Sequence, residues 1–134
     1  GFTIETVGVS NVNEIAQALD ALLPKVDALY EPTDNLVASA MPLIAEKSIA
    51  NKKAVITGEK GMVEAGGLAT EGIDYYELGK QTGEMAIKVL KREKPNTLAI
   101  KTLEKTELVI NMKTLNALGL TLPADLDKKA TKVE

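Results

Sequence analysis

The sequence predicts an α/β fold in which a mainly parallel, doubly wound sheet is flanked by helices. Short apolar segments rich in β-branched residues alternate along the chain with longer segments whose apolar residues recur every three or four positions. Polar turns containing Gly, Asn or Asp separate these segments. Such an alternation of strands and helices is typical of parallel strands joined by right-handed crossovers.

The first third of the chain is predicted to form two strands that alternate with two helices. Phe2–Val9 is rich in β-branched residues and predicts a strand. An apolar stripe that begins at Val12 and stops at the following proline predicts a helix. Val26–Tyr30 predicts the second strand. Leu36–Glu46 predicts the next helix, in which Pro42 should introduce a kink or restart the turn, because proline lacks a backbone donor.

The middle of the chain continues the pattern. Ala54–Thr57 ends at a glycine and Leu68–Ile73 ends at an aspartate, and both predict strands. Met62–Ala65, between them, predicts one helical turn. Tyr75–Lys91 predicts a helix whose basic end suits the negative end of the helix dipole.

The last third departs from this alternation. Leu98–Leu103 and Leu108–Asn111 predict two further strands, and Met112–Leu118 predicts a short helix capped by Gly119. The charged tail Asp125–Glu134 is expected to fray.

Composition limits the classes of function. The 134 residues suit about one domain, and 45% hydrophobic with 26% charged residues is usual for a globular protein. The net charge of −3 includes no basic block, so we expect no nucleic-acid partner. No apolar run approaches the ~20 residues that cross a bilayer, and no charged and hydrophobic leader is apparent.

Cysteine and histidine are absent. This excludes thiol nucleophiles, disulfides, Cys/His zinc sites and Ser-His-Asp triads. Neither GxxxxGK[ST] nor GxGxxG occurs between a strand and a helix, so a phosphate-binding loop is not indicated. We therefore expect no enzyme activity, no catalytic residue, no metal site and no cofactor.

Polar side chains follow three of the predicted strands. Thr33, Asp34 and Asn35 follow the second strand, Glu59 follows the third, and Asp74 follows the fourth. Ligands collect at the carboxyl ends of strands in open α/β sheets. These five residues are the predicted binding site.

The same residues also suit helix capping. Asp74 and Glu77 form a D-x-x-E capping-box pattern, and Thr33, Asp34 or Asn35 can each cap the helix that follows. Capping alone and capping combined with ligand contact both remain open at this point.

Three segments together resemble a known family. They are Val26–Asn35, Gly72–Gly79, and Val109–Lys113 with Ala117–Pro123. They resemble the substrate-binding proteins of bacterial ABC transporters of the tryptophan/tyrosine-binding type, which have the type I periplasmic binding-protein fold. Members of that family are longer and comprise two α/β lobes with the ligand in the cleft between them.

The resemblance implies a division of the chain. Residues 1–97 correspond to most of the carboxyl-terminal lobe, and residues 98–134 to a crossover segment that returns toward the first lobe and ends in the charged tail. The signal, the first lobe and the opening βα unit of the second lobe are expected to be missing. Apolar residues from Leu98 onward then need a partner, and self-association of the fragment is expected.

The resemblance also implies a function. The whole protein would capture a small solute, an amino acid or related compound, and deliver it to a membrane permease from an extracytoplasmic location, either periplasmic or lipid-anchored. Thr33, Asp34, Asn35 and Asp74 match the family's motifs. Where relatives have a Gly-Asp-Thr-Asp-like turn this chain has Gly-Glu-Lys-Gly, which leaves Glu59 as the carboxylate there.

Two other functions remain open. The first is the effector-binding domain of a transcription regulator, which can share this fold. The second is a small α/β enzyme that uses Glu59 and Asp74 as acid and base.

Overall fold

The computed structural model describes residues 1–103 and 105–134. Its strands are β1 Ala28–Glu31, β2 Ala54–Thr57, β3 Ala69–Ile73, β4 Thr106–Asn111 and β5 Thr131–Val133. Its α-helices are α1 Val12–Leu22, α2 Asn35–Ser39, α3 Met41–Ala50, α4 Lys60–Glu64, α5 Tyr75–Leu90, α6 Met112–Leu118 and α7 Ala124–Asp127. Short 3₁₀ turns occupy Leu23–Lys25 and Pro95–Thr97.

The five strands form one mixed sheet in the order β1-β2-β3-β4-β5. β1 pairs with β2, β2 with β3, and β4 with β5 in parallel, whereas β3 and β4 are antiparallel. The predicted α/β class with a mainly parallel sheet flanked by helices is confirmed. The register of β1 on β2 runs from Ala28 opposite Ala54 to Glu31 opposite Thr57, so these two strands end level with each other.

The core lies between the first helices and one face of the sheet. Its members come from α1, the 3₁₀ turn that follows α1, β1, α3, β2 and α4, and they include Ile15, Leu19, Leu23, Leu29, Met41, Ile44, Val55 and Met62. The apolar stripe predicted for α1 is largely buried, although Val12 at its start is 45% exposed. Pro42 restarts the helix as predicted, because α2 ends at Ser39 and the proline occupies the first turn of α3, where no backbone donor is required.

Two predicted strands are wrong. Phe2–Val9 forms no strand, and Phe2 is fully exposed and Ile4 79% exposed. Leu98–Leu103 forms no strand either, and Ile100 is 95% exposed. Both segments have suitable side chains, but a strand also needs a neighbour for its backbone groups, and no strand in the described ranges pairs with either.

The carboxyl-terminal tail is better ordered than its composition predicts. Instead of fraying, it forms α7 and then β5, whose residues lie beside β4 with Val109 opposite Thr131 and Asn111 opposite Val133. Backbone pairing with a strand edge thus stabilises a segment that the charge pattern predicts to be loose.

Helix α5 buries no residue in this structure, although an apolar face runs along it. Tyr75 and Val89 on that face are 51% and 41% exposed, and Leu78 and Met85 are half-buried.

Candidate functional site

The turns after β1 and β2 pack directly against each other. The Gly58 amide donates to the Glu31 carbonyl at 2.8 Å. A Cβ atom at Gly58 would lie 2.6 Å from Thr33 Oγ1 and 2.7 Å from Thr33 N. Glycine at this position therefore permits the close approach of the two turns.

The end of β3 lies against the turn after β2. A Cβ atom at Gly72 would be 3.2 Å from the Gly58 carbonyl oxygen and 3.5 Å from Glu59 Cα. The three turns predicted to form the site therefore lie side by side, at the carboxyl ends of β1, β2 and β3, which is where a ligand is expected in an open α/β sheet.

Replacing Gly58 by alanine should separate these turns. Since one of the nearest atoms is a backbone nitrogen, the clash cannot be relieved by a side-chain rotation, and we expect a loss of about 1–3 kcal/mol in the free energy of unfolding. The matched control is Gly79→Ala in α5, where the added methyl meets open space and removal of a helical glycine should raise stability by about 0.5–1 kcal/mol. Urea denaturation measures both. A stable Gly58→Ala variant would show that the turns are not in contact.

The three predicted carboxylates all cap helices, but they use their oxygens differently. Asp34 accepts from the Leu36 and Val37 amides through Oδ1, at 2.8 and 3.0 Å. Glu59 uses both oxygens, because Oε2 accepts from the Gly61 amide at 3.0 Å and Oε1 from the Met62 amide at 3.1 Å.

Asp74 follows the pattern of Asp34. Its Oδ1 accepts from the Tyr76 amide at 2.7 Å and from the Glu77 amide at 3.3 Å. Among the described hydrogen bonds, none engages the second carboxylate oxygen of Asp74. Capping therefore leaves one oxygen of Asp74 without a backbone partner, whereas each oxygen of Glu59 accepts one backbone bond.

The reciprocal half of the predicted capping box is wrong. Glu77 directs both carboxylate oxygens to Lys80 Nζ at 3.0 Å instead of to the backbone at the helix start. The ammonium group of Lys80 lies one turn away on the same helix face and attracts the Glu77 carboxylate. The same lysine sits 5.8 Å from the centre of the Tyr76 ring.

Two adjoining depressions open beside Asp74. The larger has a volume of about 860 Å³ and lies between the start of α5 and the segment that leads into β4. Among the described residues, the side chains that give it charge and hydrogen-bonding capacity are Asp74, Glu77, Gln81, Lys101, Thr102, Lys105, Thr106 and Glu107. The smaller, about 240 Å³, lies between α4 and α5 and includes Asp74, Tyr76 and Glu107 in its lining.

Of the five predicted residues, Asp74 is the one that lines these depressions. Thr33 and Asn35 are exposed near the other end of the rim, where Thr33 lies against Gly58. The binding roles of Thr33, Asp34, Asn35 and Glu59 remain predictions.

Sequence reasoning missed the contribution of β4. Because β4 runs antiparallel to β3, its first residues meet the last residues of β3, with Thr106 opposite Ile73 and Glu107 opposite Gly72. This pairing adds Lys105 and Glu107 to the rim. A polar residue at the start of a strand indicates a site at this edge of the sheet only if the strand is known to run antiparallel to its neighbour.

Burial also affects one carboxylate at the rim. Glu31, the last residue of β1, is half-buried, and its removal from water raises the pKa of its carboxyl above the usual range.

The anchoring of α4 fixes Glu59 in place. The buried Asn111 donates from Nδ2 to the Val63 carbonyl at 2.9 Å, and its Oδ1 accepts from the Thr114 amide at 3.0 Å. Thr114 Oγ1 in turn donates to the Gly66 carbonyl at 3.0 Å. These bonds tie both the end of α4 and the turn after it to the start of α6.

Two further properties concern the described part of the chain. None of its helices combines the length and the apolar character needed to cross a membrane. Within the same residues, no cluster of three or more acidic side chains is arranged to hold a metal ion.

A mixed α/β sheet with polar turns gathered at the carboxyl ends of its parallel strands is typical of α/β ligand-binding domains. All 134 residues match the family model described as ABC transporter substrate binding protein. The chain therefore belongs to the ABC transporter substrate-binding protein family, which is a family of binding proteins and not of enzymes.

Known relatives agree with this assignment. A tyrosine-binding protein of Clostridioides difficile (strain R20291) is 43% identical over 113 residues, which are 84% of this chain and 33% of the relative. The ligand-free, open structure of a substrate-binding protein with adhesive properties from Clostridium difficile is 40% identical, with a TM-score of 0.79, over 100% of this chain and 45% of that one.

Two further solved structures are similar. An ABC domain from Streptococcus pneumoniae in complex with L-Trp is 38% identical with a TM-score of 0.90, over 100% of this chain and 45% of that one. A conserved domain protein from Vibrio cholerae is 30% identical with a TM-score of 0.83, over 92% and 42% of the two chains. The chain thus spans less than half the length of these relatives.

Proposed function

We propose that this chain is one lobe of a longer solute-binding protein of an ABC importer, which captures an aromatic amino acid in a cleft between two lobes. Family membership supports the solute-binding role. The L-Trp complex and the tyrosine-binding relative support the ligand class, since they are 38% and 43% identical to this chain. The enzyme alternative loses support because the family model that the chain matches is one of substrate-binding proteins.

The proposal depends chiefly on the position and the hydrogen bonds of Asp74. It lines both depressions, its Oδ1 is fixed by two backbone amides, and its other oxygen has no partner among the described hydrogen bonds. A fixed carboxylate of this kind suits an α-ammonium group, because charge-assisted hydrogen bonds are the strong ones. Lys101 and Lys105 line the larger depression with Asp74 and are suited to the ligand's carboxylate.

The remaining predicted residues have secondary roles in this proposal. The Thr33 hydroxyl and the Asn35 amide offer hydrogen bonds at the other end of the rim. Asp34 has one oxygen without a described partner and adds negative charge there. Glu59 acts chiefly as the cap of α4.

The wider setting of the lobe is also a proposal. The whole protein would deliver its ligand to a membrane permease from an extracytoplasmic position, periplasmic or lipid-anchored. The division at residues 97 and 98 remains a proposal too, with the qualification that β4 and β5 of the second part belong to the same sheet as β1 to β3. Self-association of the isolated lobe remains a prediction.

The test is titration calorimetry of the full-length protein with L-tryptophan and L-tyrosine. Asp74→Asn keeps an oxygen for the two backbone amides and removes the charge, so the affinity should fall by about tenfold or more. A loss of this size corresponds to the usual contribution of a hydrogen bond to a charged group. Asp74→Ala should lose as much affinity and also about 1 kcal/mol of stability, because it removes the cap.

The control is Asp20→Asn on α1, which removes an equal charge from an exposed carboxylate paired with Lys47. It should bind normally. If Asp74→Asn binds either amino acid as tightly as wild type, Asp74 is a cap alone and the proposed contact is wrong.

A further inference from the structure

We propose that Glu107 is a second anionic contact for the ligand's ammonium group and that Thr131 is the residue that positions it. This inference rests on the proposed function and adds to the same site two residues that the sequence does not suggest. Asp74 and Glu107 are the two residues common to the linings of both depressions.

The backbone of the sheet brings these carboxylates to one place. Glu107 pairs with Gly72 across β3 and β4, and Asp74 follows Gly72 by two residues. Directly paired residues of antiparallel strands project from the same face of the sheet. Gly72 presents no side chain to Glu107, and the turn after β2 lies against this glycine, since a Cβ atom there would be 3.2 Å from the Gly58 carbonyl oxygen.

Thr131 holds the Glu107 side chain in a defined position. The Thr131 hydroxyl, on β5, donates to Glu107 Oε1 at 2.6 Å. The other oxygen, Oε2, has no partner among the described hydrogen bonds, and Glu107 is only half-buried. Glu107 and Asp74 therefore share one arrangement, in which one oxygen is anchored within the fold and the other can accept from a ligand.

An ammonium group suits this arrangement. It carries three donors, and each needs an acceptor when water is removed on ligand binding. Asp74 supplies one acceptor and Glu107 supplies another. Two carboxylates at the edge of a depression also favour ligands with an α-ammonium group over analogues that lack it, because the analogues would leave both acceptors unpaired when water is removed.

The structure offers a matched control for Glu107. Glu71 on β3 also accepts from a threonine hydroxyl, since Thr106 Oγ1 donates to its Oε1 at 3.0 Å. Glu71 is exposed and lines neither depression. Glu107→Gln and Glu71→Gln both keep an oxygen for the threonine and both remove one negative charge.

The experiment measures binding of L-tryptophan and of indole-3-propionate, which lacks the ammonium group, to the full-length protein. Glu107→Gln should weaken L-tryptophan binding by about tenfold or more and change indole-3-propionate binding, measured by competition at millimolar concentration, less than twofold. Glu71→Gln should change neither. Thr131→Val should weaken L-tryptophan binding several-fold, and Thr131→Ser, which keeps the hydroxyl, should restore it.

The outcomes separate this inference from the proposed function. If wild type binds L-tryptophan and Glu107→Gln binds it equally well, Glu107 has a structural role alone and the inference is overturned. An equal loss for both ligands would also overturn it, because the effect would not depend on the ammonium group. If wild type binds neither L-tryptophan nor L-tyrosine, the proposed function fails first, and the inference fails with it.

Discussion

Replacing Met41 by alanine is expected to lower the free energy of unfolding by about 2–5 kcal/mol, the range for removing a large apolar side chain from a packed core. Met41 is 0% exposed. It begins α3 and belongs to the cluster that joins α1, β1, β2 and α4. The cavity left by the missing side chain is enclosed by several elements, so it cannot close without moving one of them. For a small domain this is a large share of a total stability of about 5–15 kcal/mol.

Chemical denaturation followed by circular dichroism measures this loss. Met41→Leu keeps most of the volume and should cost less than about 1.5 kcal/mol. Leu90→Ala in α5 is the control for loss of apolar surface, because Leu90 is 82% exposed and its removal should change stability by less than about 0.5 kcal/mol. Equal effects for Met41→Ala and Leu90→Ala would contradict the core described above.

Elements with strong local signals could be predicted from the sequence. The bounds of β2 and α6 match the predicted ranges, and β1, β3 and α5 differ from them by one or two residues. Gly119 ends α6 with a left-handed backbone at φ 72°, as its position after the last apolar residue predicts. In each of these elements, the periodicity of the apolar residues and the residue that ends the element predict the same boundary.

Elements that depend on distant partners could not be predicted. The apolar residues of Phe2–Val9 describe a strand, but no strand in the described residues pairs with it. β5 has a charged and polar sequence and forms because β4 offers it an edge. Local composition reports neither the presence nor the absence of a partner that is far away in the chain.

The same limit applies to the binding site. The sequence predicts Asp74 as a site residue because it follows a parallel strand. The edge of the sheet at which such a residue lies can be read from its own strand alone. Glu107 depends on the direction of β4, which only the pairing with β3 reveals. The difference between Asp74 and Glu59 is finer still, since it lies in how many carboxylate oxygens the backbone uses.

The isolated lobe is expected to bind L-tryptophan at least a thousandfold more weakly than the full-length protein. In the isolated lobe that we propose, no second lobe covers the depression beside Asp74, and Asp74, Lys101 and Lys105 are exposed. Ionic contacts open to water contribute at most ~1 kcal/mol each. Four of them would reach at most about 4 kcal/mol, which corresponds to a millimolar dissociation constant, whereas micromolar capture needs about 8 kcal/mol.

Closure of a second lobe would provide the remaining free energy of binding. It would remove water from these contacts and bury the aromatic side chain of the ligand, whose apolar surface contributes about 25 cal/mol per Å². Calorimetry of both proteins with the same ligand compares the two affinities directly, and Asp74→Asn in the isolated lobe shows whether any weak binding occurs at this site. Micromolar binding by the isolated lobe would contradict the proposed interlobe cleft, because one lobe would then hold the ligand without the other.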